Sequence, residues 1–282
     1  MKKLTLKAIA GCLLAGSAMF AGSVMATPVI TNSAGSFGNW GGFDWASNGS
    51  AAVDNFNPFV LNNNFNLTYW AEAASLFNTS GGTAGFAVAN GGIVFDNYEY
   101  TIKLTLNEVS TCTAFLGPLG SCSTATFNVI SGAFSIYYDT SANANQVTGA
   151  GITDGALLLS GTVLPSTGGG FNIVSGGNAT LNGVVTYTNN LYINPDLANT
   201  IATSTLQLGG NITAWLPPTG LPGAGGGSLA LFPGDPLLGQ FPVYFQADAN
   251  QTFTATVPEP GSLALIGLSL AGLAFVRRRK SV

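Results

Sequence analysis

The chain has 282 residues, a length that permits either one large all-β domain or two smaller domains. Only 7% of the residues are Asp, Glu, Lys or Arg, where about 25% is usual, and the chain contains no His. Without His, the Ser-His-Asp and Cys-His catalytic arrangements are excluded and the commonest zinc ligand is missing.

The charges are distributed unevenly along the chain. Seven of the eight Lys and Arg residues lie within the first seven or the last six positions. Within residues 27–256 Lys103 is the single basic residue against eleven acids, which gives this interval a formal charge of −10. Because nucleic-acid binding relies on clustered Lys and Arg to neutralise phosphates, we expect no nucleic-acid partner. A surface wetted by Asn, Ser, Thr and Gly suits neutral hydrogen-bonding polymers instead.

The first 26 residues predict a secretory signal peptide. A basic start is followed by an apolar segment from Ala8 to Phe20, and small residues lead to a cleavage site between Ala26 and Thr27. A lipoprotein signal with a lipidated Cys12 is the alternative. It is less favoured because cleavage there would leave almost no apolar region upstream.

Two tryptophans stand early in the mature chain. Trp40 and Trp45 lie in a Gly-rich segment, residues 38–45, that shows no clear strand alternation. Indole rings can stack on the apolar faces of sugars when they are exposed, and they can equally belong to a core. We take Trp40 and Trp45 as the candidates for carbohydrate stacking.

The middle of the chain predicts a series of β-strands. In the clearest, Tyr98 to Leu106, aromatic and aliphatic side chains alternate with Glu99, Thr101, Lys103 and Thr105, which indicates a strand with one buried and one solvated face. Similar alternation occurs in Phe65–Trp70, Gly132–Tyr138, Ala179–Thr188, Ile201–Leu208, Phe241–Ala247 and Thr252–Val257.

Clusters of Gly, Asn, Ser and Pro separate these segments, and only Ala71 to Leu76 allows a short helical turn. Short strands joined by such turns are typical of an antiparallel β-sandwich or barrel. We therefore predict one all-β ectodomain over residues 27–256.

Two cysteines remain after removal of the signal peptide. Cys112 and Cys122 are an isolated pair in an exported chain, so we predict a disulfide that closes a small loop and stabilises the fold by about 2–3 kcal/mol. Neither a Cys-X-X-Cys spacing nor any His accompanies them, which disfavours redox or zinc chemistry.

Acidic side chains offer the remaining routes to chemistry. Asp139 to Asn145 places oxygen-bearing side chains at alternate positions, as the start of a calcium loop would. An ordinary polar turn is favoured, because the sixth position is Ala144 and the twelfth is Ala150. Paired carboxylates could also serve a glycosidase, but eleven acids without a local motif nominate no pair. We predict no cofactor and no metal.

The C-terminus reads as a membrane and sorting signal. Val257-Pro258-Glu259-Pro260 precedes an apolar segment, residues 263–276, and the basic end Arg277-Arg278-Arg279-Lys280. As a single transmembrane helix the apolar segment spans about 21 Å, short of a hydrocarbon core of about 30 Å. The basic end stays cytoplasmic by the positive-inside rule.

These residues, 257–282, resemble the PEP-CTERM sorting signal, in which a Pro-Glu-Pro motif precedes a short transmembrane helix and an Arg-rich end. The resemblance implies processing by an exosortase-type membrane protease, transient anchoring in the inner membrane, and a Gram-negative host that produces exopolysaccharide and biofilm. The protein would then reach the cell surface or the extracellular matrix.

The whole chain is also similar to the flocculation-associated PEP-CTERM proteins, through the opening Lys7-Ala8-Ile9-Ala10-Gly11 and the segment Phe127 to Asp139. This resemblance implies a non-enzymatic adhesion or flocculation component that works with exopolysaccharide. Two alternatives stay open. One is a secreted polysaccharide-cleaving enzyme that uses paired carboxylates, and the other is an ice-binding protein that uses Thr-rich strands such as Thr180 to Thr188.

Overall fold

The computed structural model describes residues 27–79, 98–115, 120, 122–172, 175–209, 223–224 and 243–254. Residues Thr27–Ala255 form one compact unit. The described residues contain no helix long and apolar enough to cross a membrane. The predicted signal peptide, sorting motif and transmembrane helix lie outside the described residues.

The regular structure of the described residues consists of strands, as the alternation predicted. In chain order they are β1 Val29–Asn32, β2 Gly35–Gly38, β3 Trp40–Asp54, β4 Asn62–Asn78, β5 Glu99–Phe115, β6 Cys122–Asp139, β7 Ala156–Val163, β8 Gly168–Asn172, β9 Gly176–Thr188, β10 Ile193–Asn194, β11 Ile201–Leu208, β12 Gly223–Ala224 and β13 Val243–Thr254.

The main sheet closes on itself into a barrel. Its strands follow the order β11, β13, β3, β4, β5, β6, β7 and β9, and β9 pairs back onto β11. Strand β8 lies between β6 and β9, beyond the stretch where β7 occupies this position, and it pairs with both of them. All these neighbours are antiparallel, and the ring has eight positions within the described residues. The short strand β12 lies outside this order and pairs in parallel with β13.

Side chains fill the interior of this ring. An eight-stranded barrel is just wide enough for its inward side chains to pack, and those of alternate residues such as Leu104, Phe134 and Leu181 are buried. Gly161 makes room for the ring of Phe134, because a Cβ at that position would collide with it. The core is therefore the barrel interior itself.

A small second sheet packs at the upper end of the barrel, which we define as the end where β3 begins and β13 ends. It consists of β10, β1 and β2, and its paired residues Ile30 and Ile193 are fully buried. Asn32 Nδ2 donates a hydrogen bond of 2.9 Å to the Tyr100 hydroxyl, and the Ser33 amide donates one of 2.9 Å to Tyr138. These bonds join the cap to β5 and β6.

The predicted disulfide is confirmed at the lower end. Cys112 on β5 and Cys122 on β6 are bonded, with their Cα atoms 5.7 Å apart. The backbone amides of these two residues donate hydrogen bonds to the carbonyls of Leu61 and Pro58, each 2.7 Å long. The crosslinked hairpin therefore also holds the connection between β3 and β4.

Two of the expected segments differ in detail. The helical turn over Ala71–Leu76 is wrong, because β4 continues through Asn78. The two strands predicted at Phe241–Ala247 and Thr252–Val257 are parts of the single strand β13. In both places long β-pairing with neighbours overrides a weak local preference.

Candidate functional site

Trp40 and Trp45 do not form the expected carbohydrate-stacking surface. Their exposed fractions are 0% and 1%, because both lie on β3 and point into the core. Trp40 packs edge-on against Phe43 at 5.1 Å, and Phe43 stacks on Trp45 at 4.8 Å. A ring enclosed in this way is inaccessible to a sugar, so the expectation that these tryptophans bind carbohydrate is wrong.

The glycines beside these tryptophans explain the error. A Cβ at Gly41 would collide with the backbone of Asn78, and one at Gly42 would collide with the carbonyl of Gln251. Glycine is therefore required where β3 is held tightly between β4 and β13. In the sequence the same glycines resemble a loop.

The connection between β6 and β7, residues 140–155, folds over the outer face of the barrel. Thr101 Oγ1 donates a 2.6 Å hydrogen bond to the carbonyl of Ile152, and Trp70 Nε1 donates one of 2.9 Å to the carbonyl of Gln146. The Glu99 carboxylate accepts hydrogen bonds from the amides of Asn143 and Ala144.

This loop corrects part of the predicted alternation. Lys103 and Thr105 are exposed as expected, but Glu99 and Thr101 are buried at 1% and 3% exposure. They lie beneath a segment distant in sequence, and no periodicity within β5 could indicate that cover. Their polar atoms are satisfied by backbone groups of the loop, as buried polar groups generally are.

An acidic cluster is formed by Glu99, Asp139 and Asp154. One carboxylate oxygen from each lies within 4.8 Å of the others. Burial raises the pKa of Glu99, the amides of Ala144 and Asn143 oppose this, and the charges of Asp139 and Asp154 add to it. Burial and then the charge of Glu99 also raise the pKa of nearby Glu72 to about 7.

The cluster's oxygens already serve the loop. Besides the two amides on Glu99, Asp139 Oδ1 accepts from the Ser141 amide at 2.9 Å and Asp154 Oδ2 accepts from Asn143 Nδ2 at 3.3 Å. Three carboxylates are a donor set that hard cations use. The same oxygens hold the loop in place through the hydrogen bonds above, and the preference for a polar turn over a calcium loop at Asp139–Asn145 stays a prediction.

The most extensive polar surface that we identify is the outer face of β9, β11 and β13. On these adjacent strands Thr203 pairs with Asn182 and Thr252, and Thr205 pairs with Thr180 and Asn250. We call this surface the Thr/Asn face: its members are exposed or half-buried hydroxyl and amide side chains, namely Asn178, Thr180, Asn182, Thr203, Thr205, Gln207, Asn250 and Thr252.

The Thr/Asn face is regular and carries no basic residue. Neighbouring strands lie about 4.8 Å apart, and same-face residues along one strand are about 6.8 Å apart. Asp248 lies at its lower edge, paired with Gln207, and burial raises the pKa of its carboxyl, with Asp44 adding to this. Lys103 is on β5, at the opposite position of the ring from β11.

The sequence contains a partial signal for this face. Three segments each alternate as strands with polar residues on one side, namely Ala179–Thr188, Ile201–Leu208 and Thr252–Val257. That these polar residues form one surface depends on the register of three strands. The pairing of β9 with β11 and of β11 with β13 supplies it.

Comparison with known proteins gives one match. Residues 256–280 match the family model of the PEP-CTERM protein-sorting motif. No curated protein matches the chain, and no solved structure matches it either.

Proposed function

We propose that this chain, an exported protein carrying a PEP-CTERM sorting motif, is a non-enzymatic adhesion component that binds exopolysaccharide through its Thr/Asn face. The motif makes the protein an exosortase substrate, anchored in the membrane before processing and located at the cell surface afterwards. Flocculation and residence in the extracellular matrix are parts of the proposal. The observation that supports it best is the in-register array of hydroxyl and amide groups on β9, β11 and β13.

The chemistry of this face fits a neutral, hydroxyl-rich polymer. Its side chains donate and accept hydrogen bonds without presenting a cation, so the partner has no need of phosphate or carboxylate groups. The strands of a closed barrel hold these groups in fixed positions, which lowers the entropic cost of binding. Each hydrogen bond replaces one to water and contributes only about 0.5–1.5 kcal/mol.

Because the individual contacts are weak, firm binding to the polymer requires many copies of the protein. When proteins are displayed densely on one surface, binding of the first contact raises the effective concentration for the next. The sorting tail provides that display. A released, monomeric protein should therefore bind the polymer much more weakly than the same protein on cells.

The test is retention of the host's exopolysaccharide by the exported protein, immobilised at high density. The variant Thr180→Val/Thr205→Val/Thr252→Val removes three hydroxyls from the Thr/Asn face while keeping side chains that favour strands. The matched control, Thr105→Val/Thr111→Val/Thr126→Val, removes three exposed hydroxyls from β5 and β6. We expect retention to fall in the first variant alone; equal retention in both would contradict the proposal.

The same assay tests the alternative of a secreted polysaccharide-cleaving enzyme. Such an enzyme needs two carboxyl groups about 5–10 Å apart that reach the glycosidic bond. Glu99 and Asp154 have carboxylate oxygens within 4.8 Å of each other, but Glu99 is almost completely buried. Steady release of new reducing or unsaturated ends that disappears in Asp154→Asn would favour the enzyme.

Ice is a second candidate ligand for the Thr/Asn face, because a regular array of Thr side chains could also order water. This array extends beyond the predicted Thr180–Thr188 strand to β11 and β13. Normal ice growth in the presence of the protein, together with polymer retention, would remove this candidate.

A further inference from the structure

A small cavity lies inside the barrel. Its volume is about 20 Å³, and most of its wall is apolar, formed by side chains such as Ile102, Leu104 and Phe134. Five polar residues also line it, among them Asn182 from β9 and Ser204 from β11. The other three, Trp45 from β3, Tyr69 from β4 and Gln251 from β13, are each 1% exposed.

These three side chains present polar atoms that the rest of the described protein does not satisfy. Trp45 Nε1, the Tyr69 hydroxyl and Gln251 Oε1 are buried and have no hydrogen-bond partner among the described residues. Buried polar atoms are paired in the large majority of cases, because an unpaired one costs about 1–3 kcal/mol. Three such atoms on residues that line one cavity indicate a common ligand.

The chemistry of the three atoms defines that ligand. An indole N–H only donates, a phenol hydroxyl donates or accepts, and an amide oxygen only accepts. Burial raises the pKa of the Tyr69 hydroxyl, with Asp248 and Asp44 adding to this, so it stays a neutral donor. A ligand that accepts two hydrogen bonds and donates at least one complements this set. No lining residue carries a charge, which argues against an ion.

The size of the cavity selects among such ligands. A cavity needs about 10–15 Å³ to hold one water molecule, so this cavity accommodates one and excludes an organic molecule. We propose that the cavity binds one structural water, which accepts hydrogen bonds from Trp45 Nε1 and the Tyr69 hydroxyl and donates one to Gln251 Oε1.

The position of this water gives it a role in closing the barrel. In chain order β3 is the first strand of the ring and β13 is the last, and these two strands pair with each other. Strand β4 is the other neighbour of β3. The pairing is irregular nearby: β13 is shifted between Ala247 and Ala249 and β3 between Trp45 and Ser50. A water bonded to all three strands would join side chains where the ladder is interrupted.

The test uses the exported protein purified from its host. A high-resolution crystal structure should show one ordered water within about 3.2 Å of all three polar atoms. In solution, the Trp45 indole proton should show a nuclear Overhauser contact to a long-lived water. The conservative variant Tyr69→Phe removes one donor and should shorten the residence time of that water, while Trp45→Phe should remove the indole contact and so assign it.

A dry cavity would overturn the proposal, as would direct hydrogen bonds among the three side chains in the crystal structure. If Tyr69→Phe does not fold, the wild-type crystal structure and indole contact still decide the question. Binding of xenon under pressure would count against the water, because polarisable apolar atoms occupy dry cavities. None of these outcomes bears on adhesion, so the proposal stands or falls independently of the proposed function.

Discussion

Glu108 is a buried acid whose ionisation should destabilise the barrel. It lies on the inward face of β5, opposite Phe65 on β4 and Val129 on β6. The residue is 1% exposed, and neither carboxylate oxygen has a hydrogen-bond partner among the described residues. It adjoins a cavity of about 10 Å³ whose wall is otherwise uncharged, formed by Leu67, Leu106, Phe127, Asn178, Ala179, Leu206 and Leu208.

Burial raises the pKa of Glu108 from 4.5 to about 7. Because one pKa unit corresponds to about 1.4 kcal/mol, full ionisation costs the folded state about 3 kcal/mol. The folded protein binds this proton more tightly than the unfolded chain does. The free energy of unfolding is therefore highest below pH 4.5, falls as the pH rises between 4.5 and about 7, and is constant above that range as far as Glu108 is concerned.

The variant Glu108→Gln keeps the size of the side chain and cannot ionise. The free energies of unfolding of both proteins are measured by urea titration across this pH range. In their difference the contributions of all other acids cancel. Relative to wild type, Glu108→Gln should gain about 3 kcal/mol of unfolding free energy between the acidic and the alkaline end of the range. Parallel pH profiles for the two proteins would refute the argument, since they would mean that Glu108 titrates alike when folded and unfolded.

Three further predictions follow from the fold. Trp40→Ala should lower the free energy of unfolding by about 3–5 kcal/mol in denaturant titrations, because it leaves a cavity in a buried aromatic cluster. A fully stable variant with weakened adhesion would instead indicate that Trp40 contacts a ligand at the surface. Replacing both Cys112 and Cys122 by Ser should cost about 2–3 kcal/mol in the same measurement, and an unchanged midpoint would show that the crosslink adds no stability. Polymer retention should change little with moderate salt, because Lys103 is the only basic residue of the ectodomain; a steep loss with salt would indicate ion pairing.

Local patterns predicted the strands well where one face is buried and the other polar. Ile201–Leu208 coincides with β11, and the inward side of Tyr98–Leu106 is buried as expected. The isolated cysteine pair also identified the disulfide. These features depend on residues close together in the sequence, where a period of two carries the information.

Features that depend on distant residues could not be predicted in this way. The glycines beside Trp40 permit tight pairing with β4 and β13. In the sequence alone they indicate a turn, so the local pattern favours an exposed segment where the structure has a buried strand. The strand alternation predicts that Glu99 faces solvent, but loop 140–155 covers it. The Thr/Asn face requires the register of three strands, and one of its pairings, β9 with β11, closes the ring.

The most direct test of the proposed function is deletion of the gene, followed by complementation with the wild-type chain, a chain lacking residues 257–282, or the Thr180→Val/Thr205→Val/Thr252→Val variant. We predict that cells lacking the gene lose both flocculation and surface-held exopolysaccharide, and that only the wild-type chain restores them. The truncated chain should be secreted folded but fail to aggregate cells, because it lacks the sorting tail that concentrates it. Unchanged flocs in the deletion strain, with polymer still held at the cell surface, would contradict the proposed function.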